Sequence, residues 1–172
     1  MNDATGAGRT VTLRAAVPGD EAALLHLIRG LAEYERLSHE VVATEALLRE
    51  QLFGARPAAE AILAESGGAP VGFALYFTSF STFLGRAGVY LEDLFVLPEH
   101  RGRGLGSRLF REVARVAVAR GCGRMEWSVL DWNEPALRFY RAMGAQPLSE
   151  WTMQRLTGDA LRAVGAGADQ AS

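Results

Sequence analysis

Apolar and polar positions alternate in "TVTLRAA", with Val11 and Leu13 on one side, which predicts a first strand. In "PGDEAALLHLIRGLAEYERL" the period lengthens. Leu24, Leu27, Ile28 and Leu31 form a helical stripe, with Asp20 placed as N-cap. "TEALLREQLF" predicts a second helix capped by Thr44. "AEAILAES" and "PVGFALYFTSF", separated by Gly67-Gly68-Ala69, predict a β-hairpin. "GVYLEDLFVL" predicts the next strand and 105–120 the next helix, with Gly121 as its stop signal. "RMEWSVL" predicts a strand, and "NEPALRFYRAM" a short helix with Asn133 as N-cap and Gly144 just past its end. "AQPLS" and "WTMQRL" predict one or two closing strands. A long antiparallel part followed by a strand-helix-strand crossover implies an α/β (α+β) fold: a mixed, mostly antiparallel sheet with helices on both faces.

One stretch resists this economy. "YLEDLFVLPEHRGRGLGSRLF" puts Glu92 and Asp93 inside a strand, and three glycines within five residues before a helix. Glycines permit positive φ and close ligand approach. The free N–H groups and dipole of a helix start favour an anion, and Arg101 and Arg103 add phosphate-compatible charge. The spacing G-x-G-x-G is neither a Walker A loop nor a dinucleotide fingerprint. The loop alone is equally consistent with a tight strand-helix turn.

The 172 residues suffice for one domain, expected over 10–157, with a flexible start over 1–9 and a mostly flexible tail over 158–172. A net charge of −2 argues against a general nucleic-acid binder. No apolar run approaches membrane-spanning length and the N-terminus lacks a signal-peptide pattern, so a cytoplasmic protein is expected. Cys122 is the one cysteine, which rules out an internal disulfide, and no lysine is present. His26, His39 and His100 show no ligand spacing, so no metal site is expected.

"YLEDLFVLPEHRGRGLGSRLF" together with "NEPALRFYRAMGA" resembles the GCN5-related N-acetyltransferases. Residues 101–106 fit the Arg/Gln-x-x-Gly-x-Gly/Ala motif of that family. "LAEYE", "FSTFLGR" and "YLEDLFV" are similar to its diamine (spermidine/spermine-type) and thialysine acetyltransferase branch. The resemblance implies acetyl-CoA as co-substrate, held in a V-shaped gap where the fourth and fifth strands splay. It implies pantetheine pairing with the backbone of Leu94, Phe95 and Val96, and pyrophosphate on the loop of Gly102, Arg103, Gly104, Leu105, Gly106 and Ser107. Trp127 and Ser128 would lie along the same arm, and Asn133, Glu134, Pro135 and Ala136 would border it. Tyr140 matches the acid that protonates the departing thiolate. Tyr34, Glu35 and Glu92 match polyamine contacts, with Asp93 beside them and Phe83 as the opposite wall, where diamine enzymes often carry Trp. A homodimer is expected by the same analogy.

Acetyl transfer to an aliphatic amine needs a base, because with a pKa near 10 only roughly one amine in a thousand is neutral at pH 7. Glu92 is the favoured base and Asp93 the alternative. Successive strand residues point to opposite faces, so both reach the site only if the strand bulges. A backbone amide around Phe95 would stabilise the oxyanion. The leading expectation is acetyl transfer to a small cationic amine by direct attack in a ternary complex. The alternative acceptors are an amino-acid-like amine of thialysine type, with Arg86 to receive its carboxylate, or a protein amine. A non-catalytic acetyl-CoA sensor is the reading from another class.

Overall fold

The computed structural model describes residues 10–167 and divides the chain into two compact units, Met1–Ser128 and Val129–Ser172. In the first, five strands lie in the order β1 (Val11–Ala15), β2 (Glu60–Ser66), β3 (Ala69–Ser81), β4 (Arg86–Val96), β5 (Met125–Glu126). The first three pairings are antiparallel, and β4–β5 is parallel. The helices of this unit are α1 (Glu21–Tyr34), α2 (Glu45–Phe53) and α3 (Leu105–Ala119). A mixed sheet with a strand-helix-strand crossover is therefore present as the hydrophobic pattern predicts.

Strand alternation sorts the core into two layers. Ala61, Leu63, Phe73 and Phe95 point to one face and pack against Leu24 and Leu27 of α1 and Leu52 of α2. Ile62, Ala74, Tyr76, Val89 and Leu91 are buried on the other, where α3 brings Leu105, Leu109, Val113 and Ala117. Leu24 and Leu27 are fully buried, so truncation of either to Ala removes roughly 2–5 kcal/mol of stability.

Thr44 caps α2 as expected, its hydroxyl accepting from Leu47 N–H at 3.2 Å. Asp20 occupies the N-cap position of α1 without capping it. Its carboxylate accepts instead from Arg14 at 2.6 and 2.9 Å and from Val17 N–H at 2.8 Å. The Arg14 guanidinium holds the Asp20 carboxyl below the usual range.

The second unit contains α4 (Glu134–Ala142) and α5 (Gly158–Gly165). Asn133 caps α4 by accepting from Ala136 N–H at 3.3 Å, Pro135 stands in the first turn, and Gly144 (φ 88°) follows the helix. One expectation fails here. "AQPLS" and "WTMQRL" form no strand among the described residues, while Gly158–Gly165, within the tail, is helical. Trp151 and Thr152 read as strand by side-chain preference, yet both are exposed. β-propensity reports packing on a sheet, and without a paired neighbour it leaves the backbone irregular.

Candidate functional site

The strand holding the two acids does bulge. Tyr76 pairs with Leu91 and Leu75 pairs with Asp93, so Glu92 is an extra residue on β4 with no partner of its own. The insertion reverses the pleat beyond it. An unbulged β4 would set Asp93 opposite Ala74 on the α3 face. The bulge sets it opposite Leu75, which packs into the α1 face, and sets Phe95 opposite Phe73 there too. Asp93 thus turns toward the end of α1, within reach of the charges of Glu92 and Glu35.

That end carries Glu35. Helix α1 stops when Leu37 N–H reaches back to Ala32 C=O (2.8 Å) and Arg36 N–H to Glu33 C=O (3.1 Å), with Arg36 at φ 63°. Glu35 is half-buried just before this turn, and burial raises its carboxyl above the usual range. Asp93 feels more. Burial first, then the charges of Glu92 and Glu35, push its carboxyl up to about 7. Glu92 itself is exposed. A carboxyl poised near neutral pH exchanges a proton readily with an amine, and its two acidic neighbours favour a cation beside it.

The outward groups of β4 follow from its ladder. Leu97 N–H donates to Val71 C=O at 2.9 Å, so 97 and 71 are a hydrogen-bonded pair, as by alternation are 95 and 73. The Phe95 amide is therefore used within the sheet. The amides of Leu94 and Val96 point to the other side, where β5 pairs only at Val89 and Tyr90. Beyond Tyr90, β5 makes no further pairing with β4 among the described residues. Tyr90 stands where this pairing ends: its hydroxyl bonds Ser128 Oγ at 2.7 Å and its ring stacks on Phe77 at 5.1 Å. The Trp127 ring meets Phe110 of α3 edge-on at 5.1 Å, which serves packing of the crossover.

In the loop after β4, Gly102 and Gly104 both adopt φ 74°, a region costly for residues with a Cβ. Gly104 is the N-cap of α3 and supplies no side-chain cap, leaving the first-turn amides of Leu105, Gly106 and Ser107 for an outside acceptor. A Cβ built on Gly102, Gly104 or Gly106 would meet nothing within 4 Å, so the cradle is open. Arg103 is exposed at its rim. These features fit a pyrophosphate.

Arg101 does not face that cradle as expected. Its Nε donates to Val96 C=O at 2.8 Å, and its guanidinium lies 4.7 Å from the Tyr34 ring and 5.3 Å from the Phe95 ring. Phe83, expected as a wall opposite the acids, is almost wholly exposed in the turn between β3 and β4. Asp93 lies seven positions beyond Arg86, the first residue of β4. With Glu92 bulged out, that is six ladder steps, roughly 20 Å at strand rise, so neither Phe83 nor Arg86 joins the acids of its own chain. A cavity of ≈ 250 Å³ lined by Arg29, Glu33, Ser38 and Val41 contains none of the acid cluster. Tyr140 and Asn133 to Ala136 lie on α4 and its cap, in the second unit.

Among the described residues, no group of three or more His, Cys, Asp or Glu could hold a metal ion, and no helix is long and apolar enough to cross a membrane.

Known proteins supply the wider frame. The Acetyltransferase (GNAT) family model matches residues 26–145. A thialysine N-epsilon-acetyltransferase of Bos taurus is 44% identical over 163 residues, covering 88% of this chain and 95% of that protein. An L-ornithine N5-acetyltransferase of Arabidopsis thaliana is 35% identical, covering 88% and 86%. The solved structure of an aminoglycoside N-acetyltransferase in complex with CoA superposes with a TM-score of 0.69 at 20% identity, covering 87% of this chain and 96% of that one. The chain belongs to the GNAT acetyltransferase family and is an N-acetyltransferase.

Proposed function

We propose that this enzyme moves the acetyl group of acetyl-CoA onto the primary amine of a small molecule that carries a second cationic group, with Asp93 as the proton acceptor. The observation that carries this reading is the meeting of Asp93, Glu92 and Glu35, with the Asp93 carboxyl at about 7. The substrate ammonium loses its proton to the Asp93 carboxylate, and the freed nitrogen attacks the thioester carbonyl carbon. The C–N bond forms, and the outward amide of Leu94 stabilises the oxyanion in place of the Phe95 amide, which the sheet consumes. The C–S bond then breaks, Tyr140, on the strength of its motif position, protonates the thiolate, and the phenolate so formed recovers a proton from the attacking nitrogen, which leaves the neutral amide. Glu92 and Glu35 hold the second cation. Glu92, the base favoured by sequence, moves to this holding role because it is the exposed, bulged residue of the pair.

The cradle of 102–107 takes the pyrophosphate, and the outward carbonyl of Leu94 and the outward amide of Val96 guide the pantetheine arm. Relatives named for thialysine and ornithine favour an amino-acid-like acceptor over a polyamine. Acetyl-CoA-dependent thiol release, measured with thialysine, ornithine, spermidine and a peptide N-terminus, tests this. Turnover greatest with thialysine or ornithine is expected. Acetyl-CoA binding without thiol release from any of them defeats the proposal. Tyr140→Phe should lower kcat by roughly two orders of magnitude while acetyl-CoA affinity holds; unchanged turnover would remove Tyr140 from the acid role.

A further inference from the structure

We infer that Arg101 is a positioning residue for the amine end of the site: it straps the end of α1, and with it Glu35, to the exit of β4. This rests on the reading of Glu35 and Asp93 as the acceptor pocket. Three observations converge on it. The Nε of Arg101 is spent on Val96 C=O, at the last residue of β4, which folds the side chain back away from the glycine loop. The guanidinium faces Tyr34, the last residue of α1, and Phe95, two residues from Asp93. Gly30, one turn before Tyr34, closes the other side. A Cβ there would stand 3.0 Å from the Phe95 ring, so α1 meets that ring without a side chain between them.

The result is a stack of Gly30 and Tyr34 on α1, then Phe95 and Arg101 on and beyond β4. The bulge makes it possible, since without it the Phe95 ring would lie on the α3 face. Glu35 follows Tyr34 directly. Whatever holds the Tyr34 ring therefore sets how closely Glu35 approaches Asp93. Phosphate recognition then falls to Arg103 and the first-turn amides of α3, while Arg101 links the two substrate regions.

Steady-state kinetics on the full chain separate these roles, using the amine that the wild-type enzyme acetylates fastest in the panel above. Arg101→Met should raise the amine KM about tenfold, the scale of losing one charge-assisted hydrogen bond. The acetyl-CoA KM should stay within about twofold of wild type on the same reasoning. Arg101→Lys keeps a cation over the two rings and should recover most of the loss. Combined with Tyr34→Leu, Arg101→Met should cost no more than the larger single change, because both cut the same strap. Arg103→Met should do the reverse and raise the acetyl-CoA KM alone.

If Arg101→Met raises the acetyl-CoA KM and leaves the amine KM unchanged, or if its effect multiplies with that of Tyr34→Leu, the strap is wrong. Should Arg101→Met not fold, Arg101→Lys decides. A small rise confined to the amine KM upholds the strap, and a rise confined to the acetyl-CoA KM overturns it. Absence of turnover in the wild-type enzyme would instead indict the functional reading.

Discussion

Two regions near the C-terminal end of β4, the glycine loop that follows it and the acid pair within it, solve opposite electrostatic problems. At the phosphate end, 102–107 offers backbone N–H groups, positive-φ glycines and open space, with little side-chain chemistry. At the acid end, two carboxylates from one bulge and a third from Glu35, just past α1, are gathered against their mutual repulsion. The first arrangement is inexpensive, because a helix start has those amides unsatisfied anyway. The second is costly. Asp93 holds a proton in the folded state up to a pH of about 7 that an ordinary aspartate releases near 4. The cradle can serve any pyrophosphate, whereas the acids select a cation and give one group a function at neutral pH. Specificity sits where the fold bears strain.

Breaking the acid end should have the largest effect. Asp93→Asn should lower kcat by roughly 10²–10⁴-fold and leave the acetyl-CoA affinity unchanged in calorimetry. A loss that falls on acetyl-CoA binding would erase the division between the two ends. Breaking the cradle should be milder and fall on the other substrate. Gly104→Ala forces a Cβ into φ 74°, at roughly 1–2 kcal/mol, so the acetyl-CoA KM should rise about tenfold with the amine KM steady.

The cost at Asp93 predicts a stability crossover. Between about 4 and about 7 the native state keeps a proton that the unfolded chain gives up, so this group makes stability fall as pH rises through that window. Asn imitates the protonated form. Thermal melts should find Asp93→Asn more stable than wild type at pH 8, by on the order of a few kcal/mol, with the gain much smaller at pH 5. An equal difference at both pH values would contradict the raised carboxyl. The subtlest change is Glu35→Gln. It removes one of the charges raising Asp93, so the acid limb of kcat/KM for the amine should move to lower pH, and its plateau should fall as the amine KM rises, because Glu35 also holds the second cation.

Much of this was legible in the sequence, for reasons that differ by residue. The cradle is local: Gly102, Gly104 and the helix start stand within a few positions, and turn chemistry with helix periodicity was enough to expect them. The bulge could be posed from sequence only as a question, because parity flips at one residue and "YLED" reads the same either way. Gly30 and Tyr34 carry the i, i+4 spacing of a shared helix face, a signal that passed unused beside the louder leucine stripe. Arg101 sat inside a phosphate motif, and its turn back onto Val96 depends on a ring one helix away. Phe83 failed through distance: a residue close to Glu92 in the chain lies far along an extended strand. The closing strands failed because side-chain preference supplies no partner to pair with.

The central claim is that the β4 bulge places Asp93 on the α1 face, where burial and the charges of Glu92 and Glu35 make it the group that titrates near neutral pH. Carbon-13 NMR titration of the Asp93 carboxyl in the enzyme without substrates tests it most directly, with Asp93→Asn to assign the resonance. The account predicts a midpoint of about 7, moving lower in Glu35→Gln. A midpoint near 4, the ordinary range for aspartate, would contradict it.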